Sequence, residues 1–446
     1  MTTPVGAAGA LAALRSGQVT AVGLLTGCLA AVEAGAAINS VVRLDAERAL
    51  ARAAEIDRQL ADGQDLPALA GLPITVKDSF DVAGLESGQG LDRPDHLAES
   101  DAPAVAALRA AGAVILGKTN VPARLADYQA SSGEFGQTLN PADPTRTAGG
   151  SSGGGAAVAA GQSLLDLGSD MAGSVRIPAA YCGIAAWRPT HGLVSKERHL
   201  PWPGSLTVVP PASTPGLLAP RVADLVAPAA VLAGTAAPRS REPRVIGVWR
   251  SGWPLLGAEV AAVIDSWLDA AREAGLEIVE IAPALADRSG AEVYEGLIAA
   301  EIAHGAGDTA AAPPLLDLLE RQQRAVAEWE RLTEGVDAVL APVAPVVAPR
   351  LSEVPVAERQ ILIDGVEHPA SQMLVWAKVT SLPQAPSVTT PIGRGADSGM
   401  PVGVQFIGRR HHDLDLIAAI AVLEARGLVG PTTLPTTPSI DSGEAS

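Results

Sequence analysis

Two glycine-rich segments and one lysine have the types and spacing suited to bond-breaking chemistry. The first segment is Gly149-Gly150-Ser151-Ser152-Gly153-Gly154-Gly155. The second is Gly168-Ser169-Asp170-Met171-Ala172-Gly173-Ser174-Val175-Arg176-Ile177-Pro178, with small residues before a serine and a helix start after it. Consecutive backbone N–H groups in such a turn can converge on one point and bind developing negative charge, as an oxyanion hole requires. The lysine is Lys77, which follows the apolar run Ile74-Thr75-Val76. Alternation along a strand puts it on the face of Thr75, opposite Val76 and Asp78. A lysine turned into a closed site loses hydration, which lowers its pKa from about 10.4 toward the range a base needs near neutrality.

Each feature also has a plainer reading. The first segment has the composition of a flexible linker. Linkers seldom lie mid-domain with an Ala-rich helix and a strand directly behind them. A phosphate-cradling loop would need GxxxxGK followed by Ser or Thr, which is absent. The segment satisfies GxSxG centred on Ser152, but a nucleophile elbow must follow a strand. The preceding Asn140-Pro141-Ala142-Asp143-Pro144-Thr145-Arg146 makes a poor central strand. Taken alone, the second segment also reads as an αβ turn, and Lys77 as a strand-end lysine paired with an acid.

Hydrophobic periodicity supplies the elements that must position these residues. Residues 8–35 read as one or two helices and 45–62 as a helix with charges on one face. Ile74–Val76 is a buried strand, Pro103 to Gly112 a helix and Ala113 to Gly117 a second strand. That strand–helix–strand rhythm argues for an α/β fold. Ala156–Gln162 reads as a helix and Leu164–Leu167 as a short strand. Residues 199–240, rich in Pro and Ala, read as irregular. Val245–Val248 and Glu277–Ile281 read as strands around a helix at Ala258–Ala274. Residues 297–333 look helical and charged. Val336–Leu340, Ser387–Thr390 and Val402–Ile407 are further strands, and Leu414–Ala425 is a last helix. Residues 431–446 read as a disordered tail.

In this order the segments resemble the amidase signature family, over most of the chain. Gly71-Leu72-Pro73-Ile74-Thr75-Val76-Lys77-Asp78 looks like that family's lysine strand. Gly117-Lys118-Thr119-Asn120-Val121-Pro122 looks like its next strand and turn. The two glycine-rich segments look like the signature itself, and Pro401-Val402-Gly403-Val404-Gln405-Phe406-Ile407-Gly408 like its closing strand. The resemblance implies a single domain, residues 1–430, with a large mixed β-sheet flanked by helices. Its catalytic core would span about 65–215 and 335–425, with a variable helical region at about 240–335. Within it, Lys77 is the terminal base, Ser151 the bridging serine held by a cis peptide after Gly150, and Ser174 the nucleophile. Met171, Ala172, Gly173 and Ser174 supply oxyanion-hole amides. Ser152, Asp170 and Arg176 hold these loops. Asp127, Tyr128 and Gln129 line the substrate pocket, and Trp376 and residues 297–333 shape its acyl end. Similarity is greatest to bacterial acyl and aryl amidases.

The implied reaction is cleavage of the carboxamide C–N bond of a small acyl or aryl amide through a Ser174 acyl-enzyme, with no metal or cofactor. Three other readings stay open: an acyl transferase or amide-forming tailoring enzyme with the same triad, the amidase component of a tRNA-dependent amidotransferase, and a non-catalytic amidase-like binding protein. Two departures from the family bear on geometry. Ser174 lies 23 positions after Ser151, one fewer than the resemblance implies. A residue lost from the helix after Gly155 rotates later helix positions by about 100°, which either a loop absorbs or the Ser151–Ser174 contact feels. Ala172 stands where glycine is common, which suits a negative φ only.

Composition sets the remaining bounds. Of 446 residues, 48% are hydrophobic and only 3% aromatic, so Ala, Val, Leu and Ile must fill the core by close approach of small side chains. Lys and Arg number 32 against 49 Asp and Glu, a net charge of −17 that repels nucleic acid and anionic membranes. Cys28 and Cys182 form no CxxC pair and read as packed thiols, fitting a cytoplasmic protein. No apolar run reaches the roughly 18 residues a membrane helix needs, and the N-terminus lacks a basic leader. The seven histidines show no metal-ligand spacing. His411 and His412 read as a solvated helix start, and His191 as structural. The expected partner is a small-molecule amide. The oligomeric state is not fixed, a homodimer being one arrangement open to it.

Overall fold

The computed structural model describes residues 6–200, 209–236, 241–250, 255–284, 288–305 and 314–431. One mixed sheet of 11 strands runs through the molecule. Its strands are β1 (Val41–Leu44), β2 (Pro73–Lys77), β3 (Val114–Thr119), β4 (Asp166–Asp170), β5 (Ala185–Arg188), β6 (Thr214–Ala219), β7 (Val245–Val248), β8 (Glu277–Glu280), β9 (Ala338–Pro342), β10 (Ser387–Arg394) and β11 (Pro401–Ile407). They lie in the order β1-β3-β2-β4-β6-β5-β10-β11-β9-β7-β8. β3, β2 and β4 are parallel, as are β9, β7 and β8. The strands between these groups are antiparallel. The α/β expectation with a large mixed sheet therefore holds.

Helices cover the sheet: α1 (Ala7–Arg15), α2 (Ala21–Ala34), α3 (Ala46–Ala61), α4 (Pro103–Ala110), α5 (Gly154–Ala159), α6 (Arg176–Cys182), α7 (Val226–Ala233), α8 (Ala258–Glu273), α9 (Arg288–Gly305), α10 (Leu315–Leu332), α11 (Val375–Ser381) and α12 (Asp413–Ala425). Their ends follow local chemistry. Thr20 caps α2 by accepting the Gly23 N–H at 2.9 Å. Pro103 opens α4, where its missing N–H costs nothing. Gly183, at φ 71°, closes α6 in a left-handed conformation. Among the described residues no helix is long and apolar enough to cross a membrane.

Residues 199–240 depart most from expectation. They hold β6, a central strand, and α7. Pro215 looks incompatible with a strand interior, but β5 pairs β6 only from Leu217 onward, so Pro215 has a neighbour on one side alone. Pro228 sits in the first turn of α7, where no intrahelical N–H bond is lost. β4 starts two residues later than expected and continues through Gly168, Ser169 and Asp170, because β6 pairs with those residues. The helical stretch at 297–333 is two helices, α9 and α10. The expected tail lies outside the described residues from 432 onward.

The core confirms close approach as its packing principle. All seven residues from Gly149 to Gly155 are buried, which excludes a linker. A Cβ on Gly155 would sit 2.6 Å from Pro178 Cβ, so glycine lets α5 lie against α6. Cys28 and Cys182 are both buried and free, and burial pushes the Cys28 thiol up to about 12.

Candidate active site

The site forms where the parallel strands β2 and β4 end, the usual place for ligands in open α/β sheets. Lys77 is the last residue of β2 and Asp170 the last of β4. Over these ends lies the Gly149–Gly155 loop, whose Gly150–Ser151 peptide is cis. A Cβ on Gly150 would meet the Asp127 carbonyl oxygen at 2.7 Å, so the chain before Ser151 passes through a gap only glycine fits.

Three side chains then stand in line. Lys77 Nζ is 2.7 Å from Ser151 Oγ, and Ser151 Oγ is 3.0 Å from Ser174 Oγ. Lys77 is wholly buried. Burial pushes its pKa down to about 7, against the opposing pull of Asp170 and Asp166. The single-residue shortening between the serines has thus not parted them.

The turn after β4 is organised by Asp170. Its carboxylate accepts N–H bonds from Gly173 at 2.9 Å and Val175 at 3.2 Å, and a two-point ion pair from Arg176 Nη2 and Nε at 2.8 and 2.9 Å. Burial alone would raise this carboxyl, but the Arg176 guanidinium outweighs it and holds Asp170 well below the usual carboxylate range. Arg176 also donates to Thr380 Oγ1 at 3.0 Å, Ser381 Oγ at 2.7 Å and Gln405 Oε1 at 2.9 Å. The Gly173 N–H is therefore committed to Asp170 and is not a free oxyanion donor, a correction to the four-amide expectation. The amides of Met171, Ala172 and Ser174 have no hydrogen-bond partner among the described residues. Positive φ falls on Gly173, at 106°, and not on Ala172, so the alanine is tolerated.

Ser152 faces away from the line. Its hydroxyl donates to Asp166 Oδ2 at 3.2 Å, and the Thr75 and Thr119 hydroxyls donate to Asp166 Oδ1 at 2.9 and 3.1 Å. No strand leads into Ser152, and the GxSxG match is coincidental.

A cavity of about 890 Å³ opens over Ser151 and Ser174. Leu91, Leu125, Met171, Leu200, Ile298 and Ile302 give it apolar walls. Asp127 lines it, while Tyr128 and Gln129 do not, correcting the expectation for that stretch. Asp127 takes both Nη groups of Arg359 at 2.8 and 2.9 Å, the same guanidinium lies 5.0 Å over the Tyr128 ring, and Gln129 exchanges hydrogen bonds with the Ser352 backbone. The stretch is anchored to a later loop instead of presented to a ligand. Of the stretch 297–333, α9 contributes to the wall and α10 does not. Trp376 does not: it is buried against Trp249, its indole N–H on the Leu255 carbonyl at 2.8 Å.

Sequence reasoning missed five residues. Asp166 ties β2, β3 and the glycine loop together. Ser169 places its hydroxyl 3.1 Å from Lys77 Nζ, and His199 Nε2 lies 2.7 Å from that hydroxyl. Lys196 pairs with Glu301 at 2.7 Å inside the cavity wall, and Glu301 also accepts the Ala212 and Ser213 N–H groups. Only the place of Ser169 within the second glycine-rich segment carried any local signal. His191 is structural: its Nε2 donates to the Pro210 carbonyl at 2.5 Å, and burial pushes its pKa down to about 4.

A buried amine thus ends a parallel strand, and two serines lead from it to a cavity with apolar walls. The chain belongs to the amidase signature family: the Amidase family model matches residues 24–312 and 301–417. It is an enzyme of that family, whose members act on amide C–N bonds. It is 31% identical over 435 residues to AtzE, a 1-carboxybiuret hydrolase component of Pseudomonas sp. (strain ADP), covering 88% of this chain and 92% of the relative. It is 33% identical over 468 residues to a glutamyl-tRNA(Gln) amidotransferase component of Deinococcus radiodurans, covering 94% and 96%. A crystal structure of an amidase superposes with a TM-score of 0.82 at 30% identity, covering 94% of this chain and 99% of the other. A bacterial aryl acylamidase shares the fold, with a TM-score of 0.79 at 23% identity and coverage of 95% and 98%.

Proposed function

We propose that the protein hydrolyses a small acyl or aryl amide through a Ser174 acyl-enzyme. The observation that carries this is the unbroken contact from Lys77 Nζ through Ser151 Oγ to Ser174 Oγ, at 2.7 and 3.0 Å. Neutral Lys77 takes the Ser151 hydroxyl proton as Ser151 takes that of Ser174. The Ser174 Oγ–carbon bond forms, and the carbonyl electron pair moves onto oxygen. The amides of Met171, Ala172 and Ser174 receive that oxyanion, while Gly173 holds the turn through Asp170. The C–N bond then breaks as Lys77 returns its proton through Ser151 to the departing nitrogen. Water adds to the acyl-enzyme by the same relay, restoring Ser174 and releasing the carboxylic acid. The apolar wall of Leu91, Leu125, Leu200, Ile298 and Ile302 supports an apolar acyl or aryl group.

Intact-mass measurement after fluorophosphonate treatment tests the triad without a known substrate. One adduct on wild type, absent from Ser174→Ala and strongly slowed in Lys77→Ala, is the expected result. A labelled Ser174→Ala protein would overturn the assignment. Amine release from a panel of acyl and aryl amides then identifies the substrate, and product analysis with an added amine separates hydrolysis from acyl transfer.

A further inference from the structure

Lys77 has a second chain of contacts besides that to Ser151. Its Nζ lies 3.1 Å from Ser169 Oγ and 3.4 Å from the Ser169 carbonyl oxygen. Ser169 Oγ lies 2.7 Å from His199 Nε2, which is also 3.0 Å from Ser79 Oγ. The imidazole stands edge-on to Phe80, with ring centroids 4.4 Å apart and planes at 82°. Lys77, Ser79 and His199 are all essentially inaccessible to solvent, and Ser169 nearly so.

An ammonium has three N–H donors and no acceptor. Once Lys77 takes a proton, three oxygens stand ready: Ser151 Oγ, Ser169 Oγ and the Ser169 carbonyl. A serine hydroxyl that accepts must send its own hydrogen elsewhere. Among the side chains around Ser169, the acceptor at hand is His199 Nε2. We propose that His199 is a positioning residue for the general base: by accepting the Ser169 hydroxyl at Nε2 it turns the Ser169 lone pairs onto Lys77 and supports the ammonium formed during acylation. The inference rests on the triad reading above and extends it by one residue that never touches the substrate's reacting atoms.

The surroundings keep the imidazole neutral, and its proton is taken to lie on Nδ1, which has no side-chain or backbone partner among the described residues, so that the Nε2 lone pair is the acceptor. Burial, then the charges of Lys196 and Lys77, hold His199 well below the usual histidine range. A protonated ring would point an N–H at Ser169 and reverse the chain. The charged groups acting on Lys77 are Asp170 and Asp166, which favour its ammonium, and Lys196, which opposes it. Lys196 is itself paired with Glu301. None of these supplies the acceptor that the Ser169 hydroxyl needs.

The test measures the rate of Ser174 labelling by a fluorophosphonate against pH, with melting temperature as the control for folding. His199→Leu removes the acceptor, and His199→Gln offers an amide oxygen in its place. The lost support makes Lys77 a weaker base, so the acid limb moves down by about one pH unit, the size of one hydrogen bond to a charged group. The plateau falls by about tenfold, while His199→Gln recovers most of both. Ser169→Ala, which leaves the histidine in place, should shift the limb the same way, and adding His199→Leu to it should cost little more. This comparison stands even where His199→Leu alone folds poorly. An unmoved acid limb in His199→Leu and Ser169→Ala, with wild-type labelling still dependent on Lys77, overturns the role of His199 and leaves the triad intact. Wild-type labelling that is indifferent to Lys77→Ala overturns both.

Discussion

Replacing Asp170 with asparagine keeps the shape of the side chain and removes its charge. Arg176 then keeps only neutral acceptors: Thr380, Ser381 and Gln405. Removing one partner of a buried ion pair costs about 3–5 kcal/mol. The unfolding entropy of a folded chain is about 2.1 cal/mol/K per residue. For 446 residues that approaches 1 kcal/mol per degree, so Asp170→Asn should melt about 3–5 °C lower. The Gly173 and Val175 N–H groups also lose a charged acceptor, which loosens the turn presenting Ser174. Acylation should fall by about 10²–10³, comparable to loss of an oxyanion donor. The carboxylate's stabilising part is fully present above the ordinary carboxyl pKa of about 4 and is lost only as pH falls through its depressed folded value. The measurements are calorimetric melting at pH 7 and the fluorophosphonate labelling rate. Asp170→Asn combined with Arg176→Met should melt above the sum of the two single losses, because the Arg176 charge leaves with its partner, although Arg188 Nε, 3.6 Å from Asp170 Oδ1, still loses its carboxylate. An Asp170→Asn protein that melts within a degree of wild type and labels at its rate would refute the account of this turn.

Wild-type labelling should lose activity as pH falls through about 7, where burial holds Lys77, with about tenfold lost per unit below it. Lys77→Ala should lack that limb and label about 10²–10⁴-fold more slowly, as read by intact mass over a pH series. Because the folded lysine titrates near 7 and the unfolded one near 10.5, Lys77 makes stability rise with pH between those values, a slope that Lys77→Met should reduce in melting curves. Ser174→Ala should form no adduct yet melt like wild type. Gly173→Ala places a Cβ 2.7 Å from Ile177 Cδ1 on a residue at φ 106°, and should lower stability by about 1–3 kcal/mol and slow labelling.

What was legible in the sequence was local. Lys77 ends an apolar run, and Ser151 and Ser174 sit in glycine-rich turns, so type and neighbours were enough to single them out. Periodicity found most strands and helices to within a few residues. It failed at β6, where prolines that usually end strands occupy positions with a partner on one side only. It also cut β4 short, because Gly168, Ser169 and Asp170 look like a turn until β6 is laid beside them. Asp166, His199 and Glu301 were invisible for a different reason. Each has partners far off in the chain, up to 91 positions for Asp166, 120 for His199 and 105 for Glu301, which no window of sequence contains. Tyr128 and Gln129 were misjudged because their partners, Arg359 and Ser352, lie more than 200 positions downstream.

The Arg176 contacts also set a timetable. The guanidinium beneath the Ser174 turn depends on Thr380, Ser381 and Gln405, the last of them 229 positions later. A ribosome that has just finished the stretch from Lys77 to Ser174 has released every reacting group, but not the residues that lock them. Until the C-terminal segments emerge, Arg176 has only Asp170 to hold it, and the contacts to Thr380, Ser381 and Gln405 are missing. A fragment ending before Thr380 would carry the whole glycine-rich motif and still be inert.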